Sequence, residues 1–280
     1  MGKAAKMLGK VLLSSLNFDT RRKLNDTKIV VPIINGMKVG VSNEPWMSGI
    51  LKKILPNVPG AFLDIGVNLG QTLLKVKSID LERQVIGFEP NPSCNYYLQK
   101  LIEKNSWNNI VIVPTGLSDF DGLTKLNVSN DTDTEASIME NQRNIVGLRS
   151  KIVPVFKYTS VEQQLPNDSI GIIKIDVEGA ELEVLSTLAI AIKKYRPLVF
   201  IEILPIKDET DIYKVQKRHK LISLLQDFSY RLYRIQKNSD DDYSGIAEIT
   251  QLELNFHATA KDYLLIPEES LVQFGTFLSM

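Results

Sequence analysis

The chain has 280 residues, 44% of them hydrophobic and 24% charged, enough to bury a full core as one large domain or two small ones. Thirty-three basic residues balance thirty-three acidic ones, which excludes the basic footprint of a nucleic-acid binder. The lone cysteine, Cys94, excludes an intrachain disulfide and fits a reducing, cytoplasmic setting, and His219 and His257 lie too far from any cysteine or histidine cluster for the usual zinc spacings.

Residues 1–58 read as a leader to the main domain, which occupies 59–280. Met1 to Leu16 interleaves Lys3, Lys6 and Lys10 with Ala4, Ala5, Leu8, Val11 and Leu12. This is the pattern of an amphipathic helix, without the unbroken apolar stretch and cleavage site of a signal peptide. The helix is expected to pack on the domain, and contact with an anionic membrane surface is the less favoured alternative. No apolar run is long enough to span a bilayer. Lys28 to Val41 carries β-branched residues around Asn35-Gly36 and predicts a small hairpin turning there. Pro45, Pro56, Pro59 and Gly60 bracket a helix around Trp46–Leu55. The leader is expected to act as a brace or lid.

From Ala61 onward short apolar strands alternate with amphipathic helices. Strands are predicted at Ala61–Ile65, Gln84–Phe88, Ile110–Val113, Ile170–Ile175 and Leu198–Ile203. Helices are predicted around Gln71–Ile79, Ser93–Asn105, Glu181–Lys194 and Val215–Phe228. Such alternation implies an α/β fold with a parallel sheet covered on both faces. Leu126 to Lys151, rich in Asn, Asp, Thr and Ser, breaks the rhythm and is expected to be a loop above the sheet. Two further strands, Tyr230–Ile235 and Asp262–Ile266, follow, separated by a mobile-looking stretch from Asn238 to Gly245.

Three motifs fall at the carboxyl ends of predicted strands, where open α/β sheets bind ligands. In Asp64-Ile65-Gly66-Val67-Asn68-Leu69-Gly70, glycines let a ligand approach the backbone and a following helix offers free N–H donors. Three residues separate Gly66 from Gly70, so the dinucleotide spacing is absent, and the Asp64 carboxylate suits a cationic amino group better than a pyrophosphate. A tight turn with no ligand remains the plainer reading of that motif alone. Glu89, in Phe88-Glu89-Pro90-Asn91, is placed to accept both ribose hydroxyls of a nucleoside, or else merely neighbours a helix start. Lys174-Ile175-Asp176-Val177-Glu178-Gly179-Ala180-Glu181 ends a buried strand in a charge cluster, with Lys174 and Asp176 on one face. Glu181 also suits the helix dipole. Glu202 ends the next strand. Clustered carboxylates raise one another's proton affinity, which makes Asp176, Glu178 and Glu202 candidate general bases, with Lys174 tuning or holding them. His257 is an alternative base. Magnesium could use such oxygens, but no metal is assigned.

Together these motifs resemble the FkbM family of methyltransferases. The match runs through Asp64–Gly70, Phe88-Glu89-Pro90-Asn91, Gly116-Leu117-Ser118-Asp119, Lys174–Glu181 and Ile201-Glu202, about half the chain. The resemblance implies a Rossmann-like class I methyltransferase fold, with a mostly parallel sheet of about seven strands, the last antiparallel, and S-adenosylmethionine as methyl donor. It further implies O-methylation of a small-molecule or glycan acceptor, often a sugar hydroxyl. By position, Asp64, Gly66, Asn68 and Gly70 would surround the methionine part and Glu89 the ribose, while Ser118 and Asp119 would lie near adenine and Asp176 nearest the sulfonium. Tyr158-Thr159-Ser160-Val161 departs from the family's Thr-Leu-Asp. A silent nucleoside-binding module and a nicotinamide-dependent oxidoreductase are the competing readings, the second opposed by the glycine spacing.

Overall fold

The structure, a computed structural model, describes residues 17–129, 149–166, 169–206, 208, 210–250, 252 and 261–278. The helix expected at Met1–Leu16, the base candidate His257 and most of the Leu126–Lys151 segment lie outside the described residues.

The chain opens with a hairpin of β1 (Phe18–Leu24) and β2 (Thr27–Ile33). The reading of a hairpin over Lys28–Val41 is corrected. The paired strands turn at Asn25-Asp26, whose φ of 45° and 67° supply the left-handed pair such a turn needs. Asn35-Gly36 also turns tightly, at φ 49° and 79°, but closes only the Ile34–Met37 bridge. Pairing stops there because the Val39 N–H donates to the Tyr97 hydroxyl instead. Helix α1 (Pro45–Ile54) follows and runs into a 3-10 turn at Leu55–Asn57.

The main sheet has eight strands. β3 (Ala61–Ile65), β4 (Val85–Phe88), β5 (Ile110–Val113), β9 (Ile170–Ile175) and β10 (Leu198–Glu202) run parallel in the order β10-β9-β3-β4-β5. Beyond β10 lie β13 (Asp262–Pro267), β11 (Tyr230–Lys237) and β12 (Tyr243–Ile249), each antiparallel to its neighbour. Seven of the strands give the class I methyltransferase arrangement, with β13 as its antiparallel member, and β12 adds an eighth at the edge. Tyr243–Gly245, read as part of a mobile stretch, begins that extra strand. The central strands are buried on both faces, as their unbroken Val, Ile, Leu and Phe runs require.

A three-stranded sheet, β6 (Gly116–Leu117), β8 (Arg149–Phe156) and β7 (Gly122–Val128), stands apart. It claims Leu126–Val128 and Arg149–Lys151, which were expected to be loop.

Helices α2 (Gln71–Ile79) and α3 (Pro92–Asn105) share one face of the main sheet with the hairpin, α1 and α7 (Leu271–Leu278). Helices α5 (Glu181–Tyr195) and α6 (Ile212–Gln226) cover the other, joined by Tyr158 of the one-turn helix α4 (Tyr158–Val161). Ile29, Val31, Trp46, Met47, Ile50 and Ile54 of the leader enter the same core as Phe62, Leu74 and Phe200. Polar contacts fasten it as well. The Arg83 guanidinium donates to the carbonyls of Leu55, Val58 and Gly60, and Asn105 bonds both the N–H and the carbonyl of Val30.

Candidate active site

A cavity of about 310 Å³ opens at the carboxyl ends of β3, β4, β9 and β10, at the small end of the ~300–1,000 Å³ typical of small-molecule sites. Its walls carry five carboxylates, Glu44, Glu89, Asp176, Glu178 and Glu202, against two lysines, Lys174 and Lys261.

The floor is the turn after β3. Gly66 takes φ 87°, and a Cβ there would stand 1.9 Å from the Asp176 carbonyl oxygen, so only glycine allows β3 and β9 to close so tightly. Asn68, also left-handed at φ 51°, points its N–H at Glu89 Oε2, 2.7 Å away, while Glu89 Oε1 accepts from the Asn91 N–H at the same distance. The two amides fix the Glu89 carboxylate at the cavity edge. Burial nonetheless pushes its pKa up to about 7, with the amides opposing. Gly70 caps α2 at φ 92° and packs against Leu98, behind the lining.

Asp64 is placed differently from its neighbours in the motif. It is 1% exposed, does not line the cavity, and faces Lys174 Nζ at 3.8 Å. Neither carboxylate oxygen has a hydrogen-bond partner among the described residues. Burial raises its pKa to about 6, with Lys174 pulling it down. Ser118 is buried one residue past the lining Leu117, its hydroxyl 3.3 Å from an oxygen of the exposed Asp119. Neither residue lines the cavity.

The charge cluster gathers where β9 and β10 end beside the start of β13. Lys174 Nζ donates to Asp176 Oδ2 at 3.0 Å. The antiparallel register sets Asp262 opposite Glu202, which brings the preceding residue, Lys261, into contact with Glu202. Burial opposes ionisation of Asp176, but Lys174 and a hydrogen bond from Glu202 outweigh it and hold its pKa below the usual range. Burial, the Asp176 charge and that same hydrogen bond push Glu202 up. The two carboxyl groups are thus driven in opposite directions, Asp176 toward ionisation and Glu202 toward protonation, with Lys261 opposing the latter. Burial disfavours the Lys174 ammonium, yet Asp176 and Asp64 keep it protonated. Glu178 sits beside them at φ 50°. Glu181 turns away to accept from the Gly179 N–H at 2.7 Å, as a residue of the α5 start.

Oxygens of Asp176, Glu178 and Glu202 lie within 4.8 Å of one another, close enough to surround a divalent cation. Two of the three already meet lysine ammonium groups. The acidic cavity has the size and charge to receive a small molecule that carries a positive group.

Sequence reasoning did not single out Glu44, Asn43 or Lys261. Glu44 and Asn43 come from the leader, immediately before α1, and Glu44 Oε2 meets the buried Lys75 at 3.3 Å. Lys261 was in reach, since an antiparallel last strand must begin where β10 ends.

The fold is similar to several solved structures. One is the FkbM methyltransferase of Methylobacillus flagellatus, 16% identical with a TM-score of 0.42; the match covers 74% of this chain and 43% of that one, under half its length. Others are a putative O-methyltransferase of Klebsiella pneumoniae, 10% identical with a TM-score of 0.46, and a Bacillus cereus O-methyltransferase in complex with SAH, 11% identical with a TM-score of 0.46; each match covers 81% of this chain and 80% of the other. No curated protein matches the chain. The family model described as the methyltransferase FkbM domain matches residues 64–232, more than half of the sequence. The chain belongs to the FkbM family of methyltransferases.

Proposed function

We propose that this protein transfers the methyl group of S-adenosylmethionine to a hydroxyl group of a small, uncharged, sugar-type acceptor. The observation that carries the reading is the Lys174–Asp176–Glu202–Lys261 row on the cavity wall, in which each carboxylate is paired with a lysine. Gly66, Asn68 and Glu89 would hold the methyl donor, with Asp64 and Gly70 shaping the turn from behind and Gly116 and Leu117 enclosing the base. Bound there, the donor supplies a methyl group on a sulfonium, already activated and leaving as a neutral thioether.

The chain's own work is alignment and proton transfer. As the acceptor oxygen forms its new bond to carbon, its proton passes to the Asp176 carboxylate. Lys174 keeps Asp176 ionised until then, and Lys261 holds Glu202 in place beside it. The acidic wall repels phosphate and carboxylate groups, which favours a neutral acceptor.

Calorimetric titration with S-adenosylhomocysteine tests the cofactor half. The intact protein is expected to bind it, and Glu89→Ala to bind at least tenfold more weakly. Release of S-adenosylhomocysteine over a panel of neutral glycosides tests the acceptor half. Asp176→Asn should lower turnover roughly 10²–10⁴-fold while still binding S-adenosylhomocysteine. Unchanged turnover in that variant would remove Asp176 from the mechanism.

A further inference from the structure

We propose that Glu44, supplied by the leader, is the carboxylate that receives the ammonium group of the methyl donor's amino-acid tail, an inference that rests on the cofactor reading above. Such a tail needs a negative group at the cavity surface. Asp64, the acidic residue of the glycine turn, is enclosed behind that surface and turned toward Lys174. Glu89 is held by two backbone amides, Asp176 by Lys174, and Glu202 by Lys261, and Glu178 is grouped with the last two, within 4.8 Å. Glu44 lines the cavity with its side chain 39% exposed, more open than Asp176 at 27% or Glu202 at 12%.

Its position suits the tail. Glu44 Oε2 meets Lys75, one turn into α2, and therefore stands near the start of that helix, where Gln71 and Thr72 also line the cavity. A helix start accommodates the tail's carboxylate, and the adjacent Glu44 accommodates its ammonium. Lys75 is 1% exposed and anchors one carboxylate oxygen, leaving the other with acceptor capacity. The backbone supports the assignment independently. Glu44 is left-handed, at φ 51° and ψ 62°, a conformation disfavoured for a long side chain. Asn68 and Glu178 are the other left-handed non-glycine residues of the cavity lining.

The test compares two ligands on the full chain by calorimetry: S-adenosylhomocysteine, which carries the amino-acid tail, and 5′-methylthioadenosine, which lacks it. Glu44→Gln is expected to weaken the first roughly ten- to hundredfold and to leave the second within twofold. The double variant Glu44→Gln, Lys75→Met removes the buried ammonium with its partner, guards against misfolding, and should show the same selective loss. Equal affinity of wild type and both variants for S-adenosylhomocysteine, or equal losses for both ligands, would overturn the assignment. If the wild type binds neither ligand, the cofactor reading itself fails and takes this inference with it.

Discussion

At the scale of single residues, the cavity region carries three carboxyl groups, Asp64, Glu89 and Glu202, that burial drives toward the protonated form. Asp64 has an ordinary pKa of 3.8 and a folded value of about 6. Within that window the folded chain keeps a proton that the unfolded chain has released, so stability falls as pH rises through it. Asp64→Asn removes this slope. At pH 7 the variant is expected to be more stable than the wild type by on the order of 2 kcal/mol, the difference fading as pH drops toward 4. Thermal unfolding across that pH range checks it, and parallel curves for the two proteins would contradict the placement of Asp64. The motif spacing located Asp64, Glu89, Asp176 and Glu202 in the sequence, because each ends a buried strand and the topology brings strand ends together. The spacing could not tell that Asp64 looks inward while Glu89 looks into the cavity, because that depends on which neighbour supplies a partner.

At the scale of elements, the strands that read most clearly were those buried on both faces. Ala61–Ile65 and Ile170–Ile175 fall where their apolar runs begin and end. The hairpin was misplaced because Asn25-Asp26 and Asn35-Gly36 both suit a left-handed turn, and the choice between them lies with Tyr97, 58 residues on from Val39. β12 escaped notice because Tyr243-Ser244-Gly245-Ile246 has weak alternation and follows three aspartates; its pairing with β11 defines it. The leader's attachment was equally hidden. Arg83, only 9% exposed, joins the end of α1 to the main sheet through three carbonyls. Arg83→Met is expected to cost roughly 2–4 kcal/mol, with amide exchange accelerated most between residues 51 and 60. Uniform acceleration across the chain would show that the clamp is not local.

At the scale of the whole molecule, the leader completes the sheet's core on one side and the cavity wall on the same side. The two roles explain why Glu44 and Trp46, two residues apart, meet different environments. Glu44 faces the cavity, whereas Trp46 is 2% exposed, lines a small adjoining hollow with Glu44, Lys174, Asp176 and Glu202, and has the Lys237 ammonium 4.5 Å from its ring centre. The chain has one other tryptophan, Trp107, which lines neither space. An indole held beside charges that shift when the cavity fills is a built-in optical probe. Addition of S-adenosylhomocysteine should therefore change the intrinsic emission of the unlabelled protein, and Trp46→Phe should silence that response while Trp107→Phe keeps it.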